Sequence, residues 1–350
     1  MNPALRVISP GLLTTIQDLG RSGYQHLGIS VSGALDPVSL CAANALVGNA
    51  PGAGALEVAY MGPTLAVEAD DVRLAFVGAK ASIEILPDET ASAGTLIGTM
   101  ESILLRRGNI VRIGSLYDAT TLCMAVEGGF DIAPVLGSVS TYLRGVIGGW
   151  QGRALAAGDR LPLALNTATE RDEFRLIGLD LGAPARFRVI AGPQCDYFSE
   201  QTIARFFENE YTVGADSDRM GMRLEGLPLD HLRGFNITSD AIAPGSIQVP
   251  GNGKPIVLLA DRQTTGGYPK IATVISADMP ALGRLPIGTT VAFEPVTIDV
   301  AVAARRKLLA EIDNIGDKIV PLIHTGVDVG TRLSDSNLIS GIVDGQGWEA

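Results

Sequence analysis

The 350-residue sequence is poor in several features that would narrow its class at once. It has three cysteines, Cys41, Cys123 and Cys195, in neither a metal-type spacing nor an even set. That excludes a disulfide scaffold and points to inert thiols in a reducing cytoplasm. Only five of its 27 basic residues are lysine, and a net charge of −11 leaves no basic face for nucleic acid or an anionic membrane. No run approaches the roughly 20 apolar residues needed to span a bilayer. The opening MNPALRVISP has no charged region leading into a hydrophobic stretch, so no signal peptide is expected. Aromatics make up only 5% of the residues.

What is abundant is glycine, 42 residues in a chain that is 46% hydrophobic. This pairing suggests many short strands joined by tight turns. From 55 to 165 the text is a succession of short segments, LEVAY, TLAVEA, VRLAFVG, ASIEIL, TLIGTM, SILLRRG, NIVRIG, TTLCMAVEGG and RLPLAL. Period-two alternation with frequent breaks argues for a mainly β fold, a barrel or a sandwich. Helices are the exception. One is expected from the Asp36 N-cap and Pro37 to a stop at Gly48, a second after Ser199 to about Glu208, and an amphipathic third over 301–315 with Leu308, Ile312 and Ile315 on one face. A faint echo relates GRALAAGDRL at 152–161 to GRLPIGTTV at 283–291, which suggests two related halves. The domain reading is N-terminal strands over 1–23, a domain over 24–305 with halves at about 24–170 and 171–300, and a C-terminal helix and tail over 306–350.

The polar stretch at 261–270, DRQTTGGYPK, lies between a buried strand and the next apolar run and is the expected site. Amides of Thr264, Thr265, Gly266 and Gly267 form a nest for an anionic oxygen in this reading, with Gln263 beside them and Lys270 neutralising charge. Asp261 is either a desolvated general base or the acceptor that ties the turn, and Tyr268 is a second proton-transfer candidate. Gln248 ends the preceding strand. Ser138 and Arg144 lie in a second polar loop, where Arg144 grips an anion or is a surface arginine. Arg219, in SDRMGMRLEG, serves the site or a hairpin with internal ion pairing. Asp36 caps its helix, whose N-terminus is also able to receive an anion. GNGKP at 251–255 is no phosphate loop, since no Ser or Thr follows its lysine. His26, His231 and His324 are too dispersed to be metal ligands, and no metal is expected.

These motifs are familiar. GSIQVPGNGKPIVLLADRQTTGGYPKIA, PGLLTTIQDLGRSGYQHLGISVSGALDPVSLCAANALVGN, VLGSVSTYLRGVIGGWQGRALAAGD and SDRMGMRLEG together resemble the biotin-dependent carboxyltransferase family. Its members include the C subunit of bacterial 5-oxoprolinase, the Kip antagonist protein and the carboxyltransferase part of urea carboxylase. The resemblance implies two cyclophilin-like β-barrel units with a few flanking helices. It also implies one of three roles. The first is ATP-dependent ring opening of a small lactam or amide with partners like the A and B subunits of that enzyme. The second is carboxyl transfer from a carboxybiotin supplied in trans, and the third is a regulator that binds a kinase inhibitor. The chain has no carrier lysine between methionines, which favours the first. Val139 stands where relatives often carry arginine.

Overall fold

The computed structural model describes residues 2–322, and its architecture is mainly β. Four α-helices accompany the strands among these residues: α1 (Pro37–Leu46), α2 (Glu200–Glu208), α3 (Met279–Leu282) and α4 (Ile298–Asp313). No described helix is long and apolar enough to cross a membrane.

The N-terminal half stacks two antiparallel sheets. One runs through Ala4–Ser9, Thr64–Val67, Ile110–Leu116 and Ala81–Leu86, the other through Leu13–Gln17, Ala55–Ala59, Thr121–Val126, Asp71–Gly78 and Glu101–Arg106. Alternate side chains from both sheets, among them Leu5, Leu65, Val111, Leu56, Phe76 and Met124, fill the space between them. The opposite face of the second sheet carries Ala75, Val77, Cys123 and Ala125, small enough for α1 to lie directly on it. The expected start of α1 is present: the Asp36 carboxylate accepts from the Val38 and Ser39 amides, and Pro37 follows. Ser199 likewise caps α2 through the Thr202 amide.

The C-terminal half is built on an eight-stranded sheet, with a separate two-stranded ribbon of Asp240–Ala241 and Thr265–Gly266. The two edge strands of the larger sheet, Thr290–Val291 and Phe293–Pro295, are separated in the chain by Ala292 alone, so the sheet curls until its ends meet. Inside are Val189, Ile247, Val257, Ile271 and a ring cluster in which Phe206 and Phe293 stack at 5.0 Å. The echo between 152–161 and 283–291 is a repeated piece of geometry. Gly158 donates to the Val7 carbonyl and Val7 to the Asp159 carbonyl, both at 2.8 Å. Gly288 and Val213 repeat the exchange with Thr289, at 2.8 and 2.9 Å. Both glycines are left-handed, with φ of 88° and 85°.

The amphipathic helix begins three residues earlier than its periodicity indicates, because Thr297 accepts from the Val300 amide and so caps it there. The helix ends at Asp313, so Ile312 lies on it and packs beside α1, while Ile315 lies past its end in a 3-10 turn and is buried in the same cluster. His324 and the tail NLISGIVDGQGWEA lie outside the described residues.

Candidate functional site

The strongest candidate is a cleft of about 340 Å³ on the outer face of the C-terminal sheet. Three neighbouring strands build its floor: Gly221–Glu225, Ile256–Leu258 and Ser246–Gln248. Because side chains alternate across a strand, Met222, Leu224, Val257 and Ile247 point into the core, while Gly221, Arg223, Ile256, Leu258 and Gln248 face the cleft. Gln263 and Tyr268 close one side, and Arg144 reaches over from the N-terminal half.

The loop that carries Arg144 is anchored from below. Ser138 and Ser140 are buried and both donate to the Asp18 carboxylate, Ser138 at 2.7 Å, while the Asp18 amide donates to Ser140 Oγ at 3.0 Å. Ser138 therefore anchors the loop and does not line the cleft. At the tip, Arg144 meets Asp218 at 3.6 Å, and Asp218 in turn accepts from the Met220 and Gly221 amides at 2.8 and 3.1 Å.

Gln248 is the unusual group in the cleft. It is 2% exposed, its Oε1 accepts from Gln263 Nε2 at 3.3 Å, and its own Nε2 has no partner. A buried donor left unpaired costs about 1–3 kcal/mol, so the position favours a ligand acceptor. Gly266 is required for this arrangement, since a Cβ there would stand 2.3 Å from Gln248 Nε2.

The expected nest of amides is not there. Thr265–Gly266 is extended and pairs with Asp240–Ala241, and the Gly267 carbonyl accepts from the Ile237 amide at 2.9 Å. Neither glycine has the left-handed backbone that a nest needs. Thr264 likewise serves this ribbon, its carbonyl accepting from Ile242 at 3.0 Å.

Four further expected residues are committed elsewhere. Lys270 is buried, and its Nζ donates to Asp240 Oδ2 at 3.0 Å. The Asp261 carboxylate is forked by Arg219 at 3.0 and 3.1 Å; the same guanidinium reaches Glu57 and donates to the Gly33 carbonyl at 2.6 Å. This cluster joins the two halves. Burial pushes the Glu57 carboxyl up against the pull of Arg219. For Arg219, burial pulls down, the two carboxylates outweigh it, and the net direction is up. The ion pairing of SDRMGMRLEG thus runs outward to distant strands, not within its hairpin. Asp36 is also satisfied, by the α1 amides and by Arg284 Nη1 at 2.5 Å, so the N-terminus of α1 receives its own cap and not an external anion.

The structure therefore brings together Gln248, Gln263, Tyr268 and Arg144, and adds Asp218, Arg223 and Asn252, which the reading of the sequence had not singled out as site residues. Glu57 was missed as well, although a carboxylate inside LEVAY is a visible anomaly in an apolar strand. Among the described residues no group of three or more His, Cys, Asp or Glu is placed to hold a metal ion. His231 Nε2 lies 2.9 Å from the Val249 carbonyl, and its ring centroid is 5.2 Å from that of Phe198.

A family model described as carboxyltransferase domain, subdomain A and B, matches residues 27–295. The chain is 39% identical over 303 residues to the 5-oxoprolinase C subunit of Haemophilus influenzae, covering 86% of this chain and 94% of that protein. The Escherichia coli protein of the same name is 37% identical with the same coverage. The crystal structure of Kluyveromyces lactis urea carboxylase superposes with a TM-score of 0.80 at 27% identity, over 93% of this chain and 31% of the larger one.

Proposed function

The chain belongs to the carboxyltransferase domain family, subdomain A and B, and from that premise we propose that it is one subunit of an ATP-dependent enzyme that opens a small lactam or amide. Relatives of nearly matching length are named as subunits of 5-oxoprolinase, which favours this reading and implies partners resembling the A and B subunits.

The observation that carries it is the unpaired Gln248 amide in the cleft. A lactam edge presents one carbonyl acceptor and one N–H donor in a plane, and the Gln248–Gln263 pair offers a matching donor and acceptor. The cleft, at about 340 Å³, lies within the usual ~300–1,000 Å³ of small-molecule sites. Arg144 and Arg223 supply positive charge at its rim for a carboxylate or for charge developing on oxygen. ATP supplies the phosphoryl group that turns the lactam carbonyl into a better electrophile. Of the three side chains read as catalytic, Tyr268 lines the cleft and is the proton-transfer candidate. Asp261 positions Arg219, and Lys270 positions the ribbon that contains Gly266.

Carboxyl transfer from a carrier-borne biotin is the second reading, favoured by the superposition on urea carboxylase. The same amide pair suits the ureido ring, which also sets a carbonyl beside N–H groups. One assay separates the two. The chain is co-purified with the products of its neighbouring genes, and ADP release is followed with 5-oxoproline present or absent and with biotinylated carrier present or absent. Release that depends on 5-oxoproline alone supports ring opening; dependence on the carrier supports carboxyl transfer; dependence on neither removes both.

A further inference from the structure

A second, smaller pocket of about 160 Å³ lies where loops of the two halves meet. Ser30 Oγ stitches those loops by donating to the Ala260 carbonyl at 3.0 Å. The pocket shares no lining residue with the cleft. Leu258 faces the cleft and Leu259 the pocket, as alternation along an extended chain requires, so the two spaces lie on opposite sides of one segment.

Two of its polar groups are unusual. Arg262 is 3% exposed, yet among the described residues no carboxylate pairs with it. Its guanidinium makes two long bonds, both 3.3 Å, to the Ile242 and Leu259 carbonyls. Of the other deeply buried arginines, Arg73, Arg219 and Arg284 each have at least one carboxylate, and Arg21, like Arg262, has none among the described residues. Burial alone pulls Arg262 down to about 10. Ser32 is 6% exposed, its Oγ has no partner, and it holds a φ of 54° that a serine rarely adopts. A buried unpaired cation and a strained residue with an orphan hydroxyl both cost stability, and such costs concentrate at ligand sites.

The remaining walls are apolar. We infer that this pocket is a second ligand site for a small aliphatic monocarboxylate, its head gripped by Arg262 and Ser32 and its chain lying against Pro37, Pro244, Leu259 and Met279. A guanidinium takes a carboxylate through two parallel N–H bonds, and a serine hydroxyl adds a third donor. Size limits the chain. An apolar cavity of ~150 Å³ holds a six-carbon ring, so about six non-hydrogen atoms fit, the size of butyrate. The assignment is independent of the reaction performed in the cleft.

The test is titration of the full-length chain with sodium butyrate, read by calorimetry and by the melting temperature, with sodium chloride and butyramide as matched controls. Butyrate is expected to bind saturably and raise the melting temperature, and the controls to do neither. Arg262→Met and Ser32→Gly are each expected to weaken butyrate at least ~10-fold, the loss of one charge-assisted contact. Glycine adopts the backbone of residue 32 without strain, so Ser32→Gly folds and remains informative if Arg262→Met does not. No saturable butyrate binding, an equal effect of chloride, or full affinity in Ser32→Gly would each overturn the assignment.

Discussion

Arg219 and Glu57 stand 162 positions apart in the chain and form a buried ion pair across the seam between the two halves. Asp261 takes the other edge of the same guanidinium. Arg219→Ala leaves two carboxylates in a dry seam without their cation, and a loss of about 3–5 kcal/mol is expected in urea unfolding. Glu57→Gln keeps an acceptor for the Leu35 amide, which now bonds Glu57 at 2.7 Å, and is expected to lose less. Equal stability in Arg219→Ala would show that the seam does not depend on this pair.

Gly266 and Gly267 are neighbours with opposite tolerance. A methyl at 266 would stand 2.3 Å from Gln248 Nε2, whereas one at 267 would meet nothing closer than the Ile237 carbonyl at 3.7 Å. Gly266→Ala is expected to cut turnover of the reconstituted complex by roughly 100-fold through displacement of Gln248. Gly267→Ala should stay within a few-fold of the parent. If the two variants have the same kcat/KM, Gln248 does not position the substrate.

For Lys270 the informative substitution is methionine. The side chain is 2% exposed, so Lys270→Ala opens a cavity and is expected to cost about 2–4 kcal/mol. Lys270→Met keeps the volume, and only Asp240, itself half exposed, loses a partner. Thermal melts should rank methionine well above alanine. A large activity loss in the methionine variant at near-normal stability would show that the ammonium itself is used.

Asp159 is forked by Arg153 at 2.7 Å to each oxygen, and this bonding lowers its carboxyl from 3.8 to about 2. The folded chain thus releases this proton at lower pH than the unfolded chain does, and the contribution is fully present above about 4. It is lost as pH falls from about 4 to about 2. Asp159→Asn should be less stable at neutral pH and show a flatter acid limb in a plot of stability against pH. Parallel acid limbs for the two proteins would contradict the assignment.

Burial pushes the Cys41 thiol up to about 11 and Cys123 well above its ordinary value. In the native protein at pH 8, iodoacetamide is expected to label Cys195, the half-buried member of the three, well before either of the others. Peptide mass spectrometry after a timed quench reads the order directly. Early labelling of Cys123 would mean that the α1 face opens.

The sequence by itself settled what depends on near neighbours. The cap at Asp36, the cap at Ser199 and the turn at 250–253, where Gly253 donates to the Pro250 carbonyl at 2.9 Å, are interactions within four positions. Their residue types carry them wherever they stand. Period-two alternation is also local, and it revealed the mainly β class. The site was only partly legible for the converse reason. Tyr268 and Gln263 were found because polar groups are dense at a strand end, but that density could not tell which of them face a cleft and which have other partners. Lys270 has Asp240, 30 positions away; Ser138 has Asp18, 120 away; Arg219 has Glu57. Such pairings exist only once sheet register and the seam between the halves bring the groups within bonding distance. Tertiary structure decided them, because a charged group removed from water takes whichever partner the packing delivers.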